Sequence, residues 1–332
     1  MYKRFYNLQK NPFEITPDPG FLFSTKKHNE ALASLYYGVK RRKGFVVLTG
    51  EVGTGKTLLV RCLLQLLSRA NVAYGYVFNP CLSPMEFLQY IAGDFQLPTT
   101  GKSKSELLLE LGTFVVARHQ KGLPTVLVVD EAHHLSVEVL EEVRLLTNLE
   151  TPQEKLLQIL LVGQPELDQK LDSRNLRQLK QRIALRSQLG CLELAETRGY
   201  IYRRLQVAGN SDPAQVFPLD TILEVHRQSR GLPRLVNTLC ENALIHGYAR
   251  QLATISPEMI ADIAADFRLN VEHAPESPAE HSPAEQGRPS EEVAQAARTL
   301  LDLYSYLRNA QQSRADLRVL VGARTHKNEP HI

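Results

Sequence analysis

A chain of 332 residues, 43% hydrophobic and 23% charged, has the make-up of a soluble globular protein with one large or two modest domains and a tail. Its formal net charge of +3 is too slight to announce a nucleic-acid binder. Its four cysteines, Cys62, Cys81, Cys191 and Cys240, lie far apart with no C-x-x-C pair, which excludes a disulfide framework or a thiolate metal cage and suits a reducing cytosol.

The start, MYKRFYNLQKNPFE, lacks the apolar core of a secretory signal, and no stretch approaches the ~20 apolar residues that cross a bilayer. The expected location is the cytoplasm, peripheral to the inner membrane only through partners. Residues 1–43 read as a basic lead-in containing prolines and aromatics. It ends in Lys40-Arg41-Arg42-Lys43, either a patch that touches phosphates or the solvated end of a helix, where the dipole favours cations.

From residue 44 to 195, short apolar runs alternate with helical periodicity, the rhythm of a parallel α/β sheet. Strands are expected at Phe45–Thr49, Val72–Phe78, Thr125–Val129, Gln158–Val162 and, more weakly patterned, Ser187–Leu194. Their near-continuous apolar character marks strands covered on both faces. Helices are expected at Lys56–Ser68, Pro84–Asp94, Ser105–His119 and Val137–Leu149. Residues 196–270 carry helical patterns alone, at Arg198–Ala208, Asp220–Ser229, Pro233–Arg250 and Pro257–Arg268, and form a small all-helical domain. Residues 271–290, with a repeated SPAE, hold little to bury and read as a disordered linker. In 291–332, Val293, Ala297, Leu300, Tyr304 and Leu307 make one apolar stripe of a final helix, which packs back on the body or docks a partner.

The stretch GEVGTGKT matches the phosphate-binding pattern G-x-x-x-x-G-K-T at every fixed position, with a strand (FVVLT) before it and a helix (LLVRCLLQLL) after it. Gly50, Gly53 and Gly55 let the backbone wrap so that the N–H groups of Gly50, Glu51, Val52, Gly53, Thr54, Gly55, Lys56, Thr57 and Leu58 can face phosphate oxygens. Lys56 supplies a point charge, the helix start adds its positive dipole end, and the Thr57 hydroxyl is a ligand for Mg²⁺. A second motif, TVLVVDEAHHL, is a buried strand ending in two carboxylates. Asp130 at its tip can share the Mg²⁺ with Thr57, and Glu131 can polarise a water for attack on a γ-phosphate. His133 and His134 lack a third ligand at metal-site spacing and read as supporting or capping groups. The letters DEAH also occur in helicases, but those enzymes need two such lobes and further motifs, and this chain spends its remaining length on small helices.

With a phosphate loop, an acidic strand end and a following helical domain, the chain resembles the AAA+ ATPases over about residues 5–268. Within them it looks like the ExeA/GspA type associated with secretion, pilus and exopolysaccharide export, and more distantly like transposition ATPases. The likeness is carried by FYNLQKNPFEITPDPGFLF, HNEALASLYYGVKRRKGF, GEVGTGKT, VVDEAHHL, LVGQPEL, LKQRIALR and GLPRLVNTLCENAL. It implies a P-loop fold with a five-stranded parallel sheet, a helical lid, ATP and Mg²⁺ as ligands, and an ATP-dependent homo-oligomer. By the same likeness Gln164 is the polar group that meets the γ-phosphate or the water. Arg182 stands where an arginine finger would reach a neighbouring subunit's phosphate, with Arg177 and Arg186 as competitors. Arg234 opens a lid helix and would turn toward the nucleotide, and Pro12 to Phe23 would line the adenine pocket.

Three roles fit these residues. The first is an oligomeric ATPase for a secretion, pilus or export assembly, working through a protein partner. The second is a DNA-dependent ATPase of transposition or replication, which the modest charge disfavours. The third is a slow nucleotide switch, which an intact Glu131 disfavours. Secretion relatives often carry a membrane span and a peptidoglycan-binding domain after the ATPase core. Here a linker and an amphipathic helix follow Asn270, so direct wall binding is not expected.

Overall fold

A computed structural model of the chain describes residues 1–269 apart from positions 15, 17, 69, 79 and 80. The linker and final helix expected at 271–290 and 291–332 lie outside the described residues. Five strands, β1 Phe45–Gly50, β2 Ala73–Val77, β3 Thr125–Val129, β4 Leu157–Gly163 and β5 Leu185–Leu189, form one sheet in the order β2-β3-β4-β1-β5. Every neighbouring pair is parallel. The three inner strands are buried at every residue, as their unbroken apolar runs require. The two edges are half-exposed.

Helices Lys26–Lys40, Lys56–Ser68, Pro84–Asp94, Lys104–Gln120 and Val137–Leu146 accompany the sheet. Two of them open with reciprocal capping boxes, Ser83 with Glu86 and Ser103 with Glu106. The core between Lys104–Gln120, its neighbours and the sheet is built from Leu, Val, Ile and Phe.

Two expected boundaries shift. Strand β5 covers Leu185–Leu189 rather than 187–194, because its register along β1 runs from Val46 opposite Leu185 to Gly50 opposite Leu189. The next helix starts at Leu194, not Arg198, on a capping box between Glu193 and Glu196. Leu194 and Ala195, assigned above to the α/β part, are thus the first turn of the helical part. That part contains Leu194–Val207, Pro213–Val216, Leu219–Ser229, Pro233–Ala249 and Pro257–Asp266.

The lead-in divides. Its helix Lys26–Lys40 packs along β5 and β1. Tyr2, Tyr6, Leu8, Phe13 and Phe21 instead belong to the core of the helical part, alongside Tyr200, Ile201, Phe217 and Leu244. The buried Arg204 clamps them there. Its guanidinium donates to the carbonyls of Pro12 (2.5 Å) and Glu14 (3.3 Å) and lies over the Phe21 ring.

Gly231, between the helices Leu219–Ser229 and Pro233–Ala249, forms a joint with Leu192, where the chain leads from β5 into the helical part. It sits at φ +72°, its carbonyl accepts from the Leu192 N–H at 2.8 Å, and a Cβ there would come within 2.1 Å of the Leu192 carbonyl oxygen. Gly231→Ala therefore meets two costs at once. The left-handed backbone costs roughly 1–2 kcal/mol for a residue with a Cβ, and the overlap with fixed backbone adds to it. The expected result is a clear drop in thermal midpoint, checked by calorimetry. An unchanged midpoint would show that the joint is not held as described.

Candidate active site

The loop between β1 and the helix Lys56–Ser68 closes on itself. The Thr54 hydroxyl donates to the Glu51 carbonyl at 2.8 Å, and the Lys56 ammonium donates to the carbonyls of Gly50 (2.6 Å) and Glu51 (2.9 Å). These are acceptors of modest strength, and a phosphate oxygen is a better partner for an ammonium. Burial lowers the pKa of Lys56, and the nearby Glu131, Asp130, Glu51 and Glu166 oppose that shift. Gly53, at φ +82°, lies against the start of the helix Pro233–Ala249: a Cβ would fall 2.5 Å from the Arg234 Cβ, and the Arg234 N–H donates to the Gly53 carbonyl at 3.2 Å. The helical part is thus seated directly on the phosphate loop.

The strand β3 delivers its two acids to the same place. Thr57 Oγ1 donates to Asp130 Oδ2 at 3.2 Å, which puts both expected Mg²⁺ ligands side by side. Asp130 is buried, and its Oδ1 accepts from the Glu131 N–H at 3.0 Å. Glu131 itself holds a left-handed backbone, φ 50° and ψ 36°, where a non-glycine residue is strained by roughly 1–3 kcal/mol. Gln164 follows β4, and its side-chain amide lies 2.9 Å from His133 Nε2. Burial, then the adjacent His134 ring, pull the His133 imidazole below its usual pKa.

Between these elements lies a cavity of about 320 Å³, lined from the loop by Val52 to Leu58, from the acidic turn by Glu131, from just beyond β4 by Gln164 and from the helical part by Arg234 and Asn237. Glu14, Thr16, Asp18, Leu22 and Phe23, from the segment assigned to the adenine pocket, line the other side. The Arg234 side chain is exposed and has no hydrogen-bonding or ionic partner among the described residues. The three arginines near β5 are not equivalent. Arg182 donates to Thr147 Oγ1 (2.7 Å) and Asn148 Oδ1 (2.6 Å), Arg186 pairs with Asp168 at 3.4 Å, and Arg177 is exposed.

Two residues of the site have no motif to announce them. Tyr76 on β2 donates its hydroxyl to Asp130 Oδ2 at 2.7 Å; burial, then that carboxylate, raise its pKa strongly. His28 ties the lead-in to the loop, with Nε2 3.2 Å from the Thr54 carbonyl and Nδ1 2.8 Å from Thr25 Oγ1. Because a carbonyl only accepts, the His28 proton sits on Nε2 and Nδ1 accepts from the threonine. Burial lowers the His28 pKa from its ordinary 6.5. The unfolded chain therefore binds this proton more readily, and the folded state loses stability as pH falls from about 6.5 toward the folded-state value. His28→Gln, which keeps the donor but does not titrate, should flatten that acid-side decline in thermal midpoint. An identical slope in both proteins would exclude His28 as its source.

An AAA domain model matches residues 39–171. Over 251 residues, 75% of this chain, the sequence is 46% identical to General secretion pathway protein A of Aeromonas hydrophila; the match covers 45% of that protein, so the chain spans under half of its relative's length. Among solved structures, the Aeropyrum pernix ORC2 protein in its ADPNP–ADP complexes superposes with a TM-score of 0.59 at 17% identity, over 78% of this chain and 72% of that one. Cdc6p of Pyrobaculum aerophilum gives 0.59 at 17% identity, over 77% and 70%. At such identity these two show the fold alone. The matched domain and the strand order together give the chain an AAA domain with the P-loop fold, similar in sequence to General secretion pathway protein A.

Proposed function

We propose that the chain binds Mg²⁺–ATP in the cavity under its helical part and hydrolyses it as an ATP-dependent homo-oligomer, serving a secretion, pilus or export assembly from the cytoplasmic side of the membrane. The observation that carries this is the 3.2 Å approach of Thr57 Oγ1 to Asp130 Oδ2 beside Lys56. A hydroxyl next to a buried carboxylate is an all-oxygen donor set, which suits a hard divalent cation. Among the described residues Lys56 Nζ bonds only backbone carbonyls, those of Gly50 and Glu51, which it can give up for a phosphate. The bound ion supplies charge neutralisation on the phosphates. Glu131 accepts the proton of the attacking water, Gln164 orients that water, and Arg234 and a neighbour's arginine meet the γ-phosphate oxygens.

The secretion role rests on the likeness to General secretion pathway protein A and is extended here to this chain. Among the described residues no helix is long and apolar enough to cross a membrane; a protein partner at the membrane is part of this proposal. Three of the four residues of the basic cluster are engaged within the chain: Arg42 pairs with Glu154 at 2.8 Å, and Lys40 and Lys43 lie over the rings of Tyr36 and Tyr37. That weighs against a DNA-dependent ATPase.

Purified protein should release phosphate from ATP only with Mg²⁺, and ATP should raise its mass in light scattering. Absence of ATP binding would remove the whole reading. A gel shift that falls steeply with salt would replace the export role with the DNA one.

A further inference from the structure

We propose that His133 is a positioning residue that holds the Glu131 carboxylate in its working place and couples it to Gln164 at the end of β4; this rests on Glu131 being the group that takes a proton from water. The turn Ala132–His134 is held from several sides. Lys170 Nζ donates to the carbonyls of His133 (2.6 Å) and Leu135 (2.8 Å), and the His134 ring lies over the His133 ring at 3.9 Å. Behind it, a Cβ on Gly163 would come within 3.3 Å of the His133 nitrogen. The imidazole is 7% exposed and therefore has little freedom to point elsewhere.

Its two nitrogens face the two groups expected to handle the water. Nε2 lies 2.9 Å from the Gln164 amide nitrogen, and Nδ1 lies 3.5 Å from Glu131 Oε2. That oxygen is buried and makes no hydrogen bond among the described residues. A buried acceptor without a donor calls for an explanation, and a neutral imidazole N–H is at hand. With the Gln164 amide donating to Nε2, the ring proton belongs on Nδ1 and faces Glu131. The opposite tautomer would aim a lone pair at an unpaired carboxylate oxygen. The Gln164 backbone N–H is also 3.5 Å from Nδ1, at the limit of a hydrogen bond, and in the tautomer that serves Glu131 it is not one. The Nδ1–Glu131 distance is likewise long, as such contacts commonly are before substrate tightens them.

The arrangement orients a base through a third group, which is itself oriented by Gln164. His133→Phe keeps the ring shape and removes both nitrogens. It should lower kcat by about ten- to a hundredfold, the usual effect of losing an orienting partner, with the dissociation constant for ATP and the thermal midpoint nearly unchanged. His133→Asn places an amide nitrogen where Nδ1 was and should recover most of the loss. In a Glu131→Gln background, His133→Phe should add little, because the carboxylate it orients is gone. Wild-type kcat in His133→Phe, with Glu131→Gln inactive, would overturn the inference alone. So would an equal loss on both backgrounds, which marks a role through folding. An active Glu131→Gln would instead overturn the reading of Glu131, and the inference with it.

Discussion

Glu131→Gln is expected to cut multiple-turnover phosphate release by about 10²–10⁴-fold, the range a positioned base supplies, while ATP binding persists. The substitution keeps size and shape, so Asp130, which accepts from the residue-131 N–H at 3.0 Å, stays in place beside Thr57. Lys56 loses one nearby negative charge and keeps its role toward phosphate. Removing a carboxylate from the phosphate end of the cavity also reduces its repulsion of a triphosphate, so affinity is expected to hold or rise. The strained backbone at residue 131 gives a second reason to expect a kinetic effect: the fold tolerates a left-handed glutamate here, which places its side chain at the cavity wall. Phosphate release and a fluorescent-ATP titration on one preparation separate the two effects. Turnover near the parent rate would take Glu131 out of the chemistry.

The parts of this design that could be read from the residues are those with a local cause. The inner strands announce themselves because burial on both faces demands unbroken apolar runs such as FVVLT and TVLVV. The phosphate loop and acidic strand do so because the chemistry allows few residue types. Strand β5 was obscured because LRSQL is an edge strand with polar residues facing out, while the following GCLEL is more apolar and drew the expectation forward. The helix at Leu194 starts on Glu193, outside the Ser, Thr, Asp and Asn that lead at helix starts. Nothing local tells that Tyr2, Tyr6 and Phe13 pack into a core some two hundred residues on, since only the tertiary arrangement brings them there. The same holds for the site. Tyr76 reaches Asp130 only because β2 pairs with β3 in the register that sets Val77 opposite Val129, and His28 reaches Thr54 only because its helix lies beside the loop.

Arg182→Ala is expected to lower turnover by about 10³-fold or more, the scale of a finger supplied in trans, and mixing it with Glu131→Gln subunits should restore part of the rate. The geometry distinguishes the three arginines by what each must give up. Arg182 is held by a hydroxyl and an amide oxygen, both neutral, so it is ordered yet can exchange these bonds for a stronger, charge-assisted one to phosphate. Arg186 would have to leave the carboxylate of Asp168, and Arg177, exposed at the start of a four-residue helix, has a side chain with no hydrogen-bonding or ionic partner among the described residues. In a mixed assembly, an Arg182→Ala subunit keeps its own Glu131 and borrows the arginine of its Glu131→Gln neighbour, so one class of interface is complete. Recovery on mixing therefore requires that the finger act across subunits. No recovery, or a larger loss from Arg177→Ala than from Arg182→Ala, would move the assignment to Arg177 or to a site complete within one chain.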